Sequence, residues 1–169
     1  MTPNFSKETF DHLNFFLKGD KAAVEFAIDL IYLAHLIDDL VDGDVEREVE
    51  DIKRGFRVLI VDQRANPFYN AFRGALDPLL ASAFMLWLDS TYLETGGNSE
   101  RFTAFMIRND ILKVIHHCMM LVGGPDWAQE QGPDFWRTLG IKEEKLAEFK
   151  METPNARLCE LPRRSQSSA

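Results

Sequence analysis

The chain has 169 residues, 46% of them hydrophobic and 27% charged, with a formal net charge of −8. That length builds one domain with a real core, the excess of acids excludes a nucleic-acid grip built on Lys and Arg, and two cysteines, Cys118 and Cys159, cannot form a disulfide framework. The first ten residues lack an apolar signal core, and the apolar stretch 22–41 carries Glu25, Asp29, Asp38 and Asp39, too many charges for a bilayer span. The expectation is a cytoplasmic protein with no membrane and no nucleic-acid partner.

Hydrophobic periodicity predicts helix along almost the whole chain. Ser6 caps a short first helix carrying Phe10, Leu13 and Leu17, which stops near Gly19. Asp20 caps a second helix from 21 to about 42, apolar nearly all round as a central element should be, and Gly43 ends it. Asp44 caps a third, in which Val45, Val49, Ile52, Phe56 and Leu59 form one apolar stripe. Asn66-Pro67 starts a fourth helix reaching about Glu94, with a kink or break at Asp77-Pro78. After the Gly96-Gly97-Asn98 turn a fifth runs from 99 to 122, and Gly123-Gly124-Pro125 ends it. Two shorter helices follow, at about 126–139 and 142–151. No alternating strand pattern, internal repeat or linker is present. The predicted fold is an all-α, single-domain bundle of five to seven helices over residues 1–152, followed by a flexible Pro-, Ser- and Arg-rich tail at 153–169.

Charge is concentrated in one place. Residues 38–51 hold eight acids against Arg47 alone, −7 of the chain's −8, which marks a cation site, a surface for a basic partner, or a solvated turn between helices. On a helix His35 lies beside Asp38 and Asp39, and Asp42 continues that face. Acids in the last turn oppose the macrodipole at roughly 0.3–1 kcal/mol each. Like charges at this spacing add roughly 0.2–0.5 kcal/mol per pair. Mg²⁺, which prefers carboxylate oxygen, would reverse that cost. Asp44 is explained as the cap of the next helix, whereas Asp38 and Asp39 sit a full turn earlier. His35 is open to three roles: metal ligand, phosphate-facing donor, or intrahelical partner of Asp39.

Asp38-Asp39-Leu40-Val41-Asp42 resembles the aspartate-rich DDxxD motif of class I isoprenoid synthases, all-α bundles in which the motif ends a central helix. The resemblance implies an isoprenoid-synthase-like core, reduced as in a phage- or mobile-element-type relative, in which Asp38, Asp39 and Asp42 bind Mg²⁺ against a substrate diphosphate. A second metal motif in that family begins with Asn-Asp. Arg108-Asn109-Asp110 supplies that start, but Lys113 and His117 stand where Ser/Thr and Glu belong. No Arg or Lys clamp for a diphosphate is evident beside the first motif.

In the predicted fifth helix Phe105, Asn109, Leu112, His116 and Met119 share one stripe, so Asn109 and His116 either face the aspartates or are satisfied polar groups of the core. Asp110 and Lys113 are spaced to pair with each other. His116 and His117 diverge by about 100° on a helix and do not suit one zinc ion. Two functions are expected from this reading. The first is Mg²⁺-dependent binding, with or without turnover, of a diphosphate-containing small molecule at Asp38, Asp39 and Asp42, with His35, Asn109, Asp110 and His116 around or facing it. The second is a non-catalytic interaction protein whose acidic 38–51 segment docks on a basic protein. A homo-oligomer is compatible with both.

Overall fold

A computed structural model describes residues 6–43 and 46–140 of the chain. These residues are helical, with no strand among them, so the all-α bundle is the observed fold. The tail at 153–169, the helix expected at 142–151 and the Asp44 cap lie outside the described residues.

Helix α1 is Lys7–Phe16, with the Ser6 hydroxyl accepting from the Thr9 N–H at 3.1 Å. It ends where Lys18 and Gly19 take left-handed φ of 53° and 71°. Helix α2 is Lys21–Asp42. The Asp20 carboxylate accepts from the Ala23 N–H at 3.0 Å, and Gly43, at φ 65°, closes the helix by donating to the Asp39 carbonyl at 2.9 Å. Both helices match their predicted limits because each end carries a local stop of its own. Helix α2 is the central element, packed against α1 and against the helices that follow.

The third helix departs from expectation. Helix α3 starts only at Val49 and runs to Arg57. A π-helical turn, Val58–Asp62, then leads into the short α4, Gln63–Ala65. The predicted stripe faces outward: Val49 is 64%, Phe56 61% and Leu59 55% exposed. Two features set this orientation. Gly55 is buried against α2, where a Cβ would lie 2.2 Å from the Leu36 Cδ2, so only this side of α3 approaches closely. The π-turn also holds one residue more than an α-turn. It makes Gly55, Val58 and Gln63 the buried positions. Gln63 is anchored by donating its amide to the Phe26 carbonyl at 3.3 Å.

Helix α5, Pro67–Leu93, begins at Asn66, whose side chain accepts from the Tyr69 N–H at 3.0 Å and donates to the Ala22 carbonyl at 2.9 Å. It passes through Pro78 without the expected break. The residue four back is Gly74, open to solvent, so water can take the carbonyl left without a donor. By length and composition α5 could cross a membrane, although most of the other helices contact it or each other in the bundle.

The predicted fifth helix is two: α6, Asn98–Arg108, and α7, Ile111–Gly123. The Asn109 amide donates to the Phe105 carbonyl at 3.1 Å, competing with the main chain in the way that ends helices. Helix α8, Pro125–Leu139, packs on α7 and α1. Trp127 ties it to α1 by donating to the Phe16 carbonyl at 3.0 Å. The main core collects Leu13, Phe16, Phe26, Leu76, Ile115, Met119 and Phe135. A smaller cluster of Tyr32, Leu33, Leu36 and Val58 joins α2 to the π-turn.

Candidate functional site: an arginine hub at the end of an apolar cavity

The three aspartates project from the last turn and a half of α2, and two arginines meet them. Arg108, at the C-terminal end of α6, donates from Nε to the Asp38 Oδ1 at 3.1 Å and from Nη2 to the Asp42 Oδ2 at 3.1 Å, while Nη1 pairs with Glu94. Every guanidinium nitrogen of Arg108 thus faces a carboxylate, and the side chain is only 18% exposed. Burial alone would lower its pKa. The carboxylates of Asp38, Glu94 and Asp42 more than offset that and raise it above the usual arginine value. Asp38 also accepts from the Trp87 Nε1 at 3.2 Å. Asp39 points to Arg47, whose Nε lies 2.7 Å from Oδ2. This hydrogen bond is the chief reason that the Arg47 pKa rises, outweighing the effect of burial.

The charge that a helix C-terminus disfavours is therefore compensated by guanidinium groups. Carboxylate oxygens are the donors Mg²⁺ prefers, yet here Asp38 and Asp42 converge on Arg108 and Asp39 turns to a different arginine. No group of three or more potential His, Cys, Asp or Glu ligands is gathered around one point among the described residues. As placed, the aspartates do not fit a Mg²⁺ ion; both arginines would first have to leave.

The other predicted residues are dispersed. His35 is exposed on α2. Asn109 bonds back to its own helix and ends it. Asp110 is buried and pairs with Lys113 at 2.6 Å, as their spacing predicts. His116 lies between α7 and α8, with its ring 5.6 Å from that of Trp136 and 5.3 Å from that of Phe135. Burial, and then the neighbouring His117, lower its pKa. Arg108, Trp87 and Glu94 complete the hub and were missed in the sequence. Glu94, which caps α5, follows Trp87 by seven residues, a spacing that shares a face, and Arg108 is the basic residue at the end of the apolar run Phe105–Ile107; no sequence rule joins those two signals to Asp38.

Beside the hub lies a cavity of about 530 Å³, within the usual range for small-molecule sites, roughly 300–1,000 Å³. Helix α2 supplies Leu30, Leu33, Ala34 and Ile37, and α5 supplies Leu80, Phe84 and Trp87 from the facing side. Leu59 of the π-turn closes a third side. Trp87 and Arg108 each line the cavity and bond Asp38, so the two features share a wall. Cys118, by contrast, is buried in the main core, and burial pushes its thiol up to about 12, where it is inert. Comparison with protein families, with curated proteins and with solved structures finds no match to this chain.

Proposed function

We propose that this chain binds a small molecule with an apolar body in the cavity between α2, the π-turn and α5. One observation carries the reading: an apolar cavity of ligand size ends at a polar hub, and Trp87 and Arg108 belong to both. Apolar walls with a few placed polar groups are the usual composition of a ligand site. The resemblance of Asp38-Asp39-Leu40-Val41-Asp42 to the isoprenoid synthase motif supports an elongated apolar ligand in the same place. Because the aspartates are held by arginines, the reading uses no metal and assigns no catalytic step.

A neutral naphthylamine probe, whose emission rises in apolar surroundings, tests this. The probe should bind at one site per chain. Ala34→Trp, which fills the cavity from α2, should abolish binding, and Ala81→Trp at the rim should weaken it; far-ultraviolet circular dichroism checks that both variants fold. Binding unchanged in both variants places the probe on another surface and overturns the proposal. Competition by an alkyl diphosphate in Mg²⁺ but not in chelator would add the metal-dependent diphosphate reading to it.

A second reading is favoured by the outward stripe of Val49, Phe56 and Ile60, an apolar surface of the kind that marks protein contacts. In that reading the contact is made through this stripe rather than through acids. Light scattering across a concentration series, with Phe56→Glu as the variant, tests it.

A further inference from the structure

We infer that the cavity takes a long-chain carboxylate, with the head group at Arg64 and the chain running towards Trp87. The inference rests on the cavity reading above and adds the class of ligand.

The charged side chains lining the cavity are Arg64 and Arg108; no carboxylate lines it. They differ in what they can still bind. Arg108 already directs each of its guanidinium nitrogens to a carboxylate of Asp38, Asp42 or Glu94, so its donors are engaged within the protein. Arg64 has no ion pair and no side-chain hydrogen bond among the described residues; its backbone carbonyl accepts from the Asn70 amide at 2.9 Å. Asp77 feels its charge, and already accepts from the Tyr69 hydroxyl at 2.6 Å and from Arg73 at 3.0 Å.

The two arginines stand at opposite ends. Neighbouring Gln63 is bonded to Phe26, and Tyr69 stacks on the Phe26 ring with centroids 5.9 Å apart, which sets the Arg64 end level with Phe26. The Trp87 hydrogen bond sets the other end level with Asp38. Between those levels Leu30, Leu33, Ala34 and Ile37 of α2 line the path, a rise of about 10 Å from first to last. An arginine with open donors at Arg64, and one whose donors are all engaged at Arg108, orient an amphiphile with its anionic head towards Arg64. One unpaired guanidinium, a planar fork suited to bidentate pairing, matches one carboxylate. A diphosphate carries more charge than one arginine balances.

The test is displacement of the neutral naphthylamine probe from the full chain at neutral pH by dodecanoate, dodecanol and dodecylamine, each below its micelle concentration. Dodecanoate should compete about tenfold better than dodecanol. Arg64→Gln should reduce dodecanoate to the level of dodecanol without changing dodecanol, and Arg64→Lys should retain part of the preference. Equal competition by acid and alcohol, a preference for the amine, or a preference for the acid that survives Arg64→Gln overturns the carboxylate assignment and leaves the cavity reading standing. Failure of the neutral probe to bind overturns both.

Discussion

The Nε of Arg108 lies 3.1 Å from the Oδ1 of Asp38, a residue seventy positions earlier in the chain. That contact closes the polar end of the bundle, because the same guanidinium holds Asp42 and Glu94 as well. Arg108→Met removes the guanidinium that three carboxylates of a partly buried cluster share. The expected loss of stability is about 2–3 kcal/mol, read as a lower urea midpoint at unchanged slope. Adding Glu94→Gln to this variant should recover part of the loss. Additive effects of the two substitutions would show that the hub is not one coupled unit.

The arginines also decide what the aspartates do with Mg²⁺. Wild-type protein should show the same melting temperature in chelator and in millimolar Mg²⁺. Arg108→Gln, which removes the guanidinium charge from Asp38, Asp42 and Glu94, should gain thermal stability from Mg²⁺ by mass action. Asp38→Asn should weaken the wild type by about 1 kcal/mol, since it removes a charged partner of Arg108. A wild type stabilised by Mg²⁺ would show that the arginines yield to the ion.

Gly55 is fixed by close approach. A Cβ there would stand 2.2 Å from a methyl carbon of Leu36, which is itself buried with Tyr32, Leu33 and Val58. Gly55→Val should therefore destabilise the protein by roughly 1–3 kcal/mol, the cost of overpacking, despite the better helix propensity of valine. Thermal melts of the variant, and of Gly55→Val with Leu36→Ala to make room, check this; the second change should restore part of the loss.

Asp29, on the side of α2 towards the π-turn, has its pKa raised to about 6 by burial first and then by Asp62, with Glu25 adding to this and Arg54 opposing it. Its folded pKa lies above the unfolded 3.8. The folded state therefore keeps the proton where the unfolded state has lost it, and the contribution of Asp29 becomes unfavourable as pH rises from about 4 to about 6. Above that window the penalty is constant. Asp29→Asn should raise the melting temperature at pH 7.5 by about 3 °C, equivalent to roughly 1 kcal/mol after allowance for solvent screening. The difference between variant and wild type should vanish near pH 4. A difference independent of pH would assign the effect to packing.

Legibility in the sequence followed the range of the forces involved. Ser6, Asp20, Gly43 and Asn66 act within three or four residues of themselves, so the ends of α1 and α2 and the start of α5 could be read directly. The third helix could not, because its orientation comes from the fit of Gly55 against Leu36, nineteen positions earlier, and from a π-turn that no periodicity of 3.6 describes. The break at Asn109 was hidden because its cause is one amide bonding back to Phe105. The aspartates were legible as an anomaly, a cluster of charge in an unfavourable place. What compensates them was not, since Arg108 and Glu94 reach Asp38 only through tertiary packing. The cavity is a property of facing walls and has no signature in any one segment.

The π-turn at Val58–Asp62 has a consequence in chain length. The buried positions are Gly55, Val58 and Gln63. With one residue removed at the exposed Ile60, the same three side chains would fall at α-helical intervals of three and four, and an ordinary helix would serve the core equally well. The bundle thus carries a surplus residue that its interior does not require. What the insertion adds lies outside the core: it thrusts Leu59, Ile60 and Val61 outward and sets Leu59 against the cavity. The shape of the cavity mouth is in this sense written as a single unit of length.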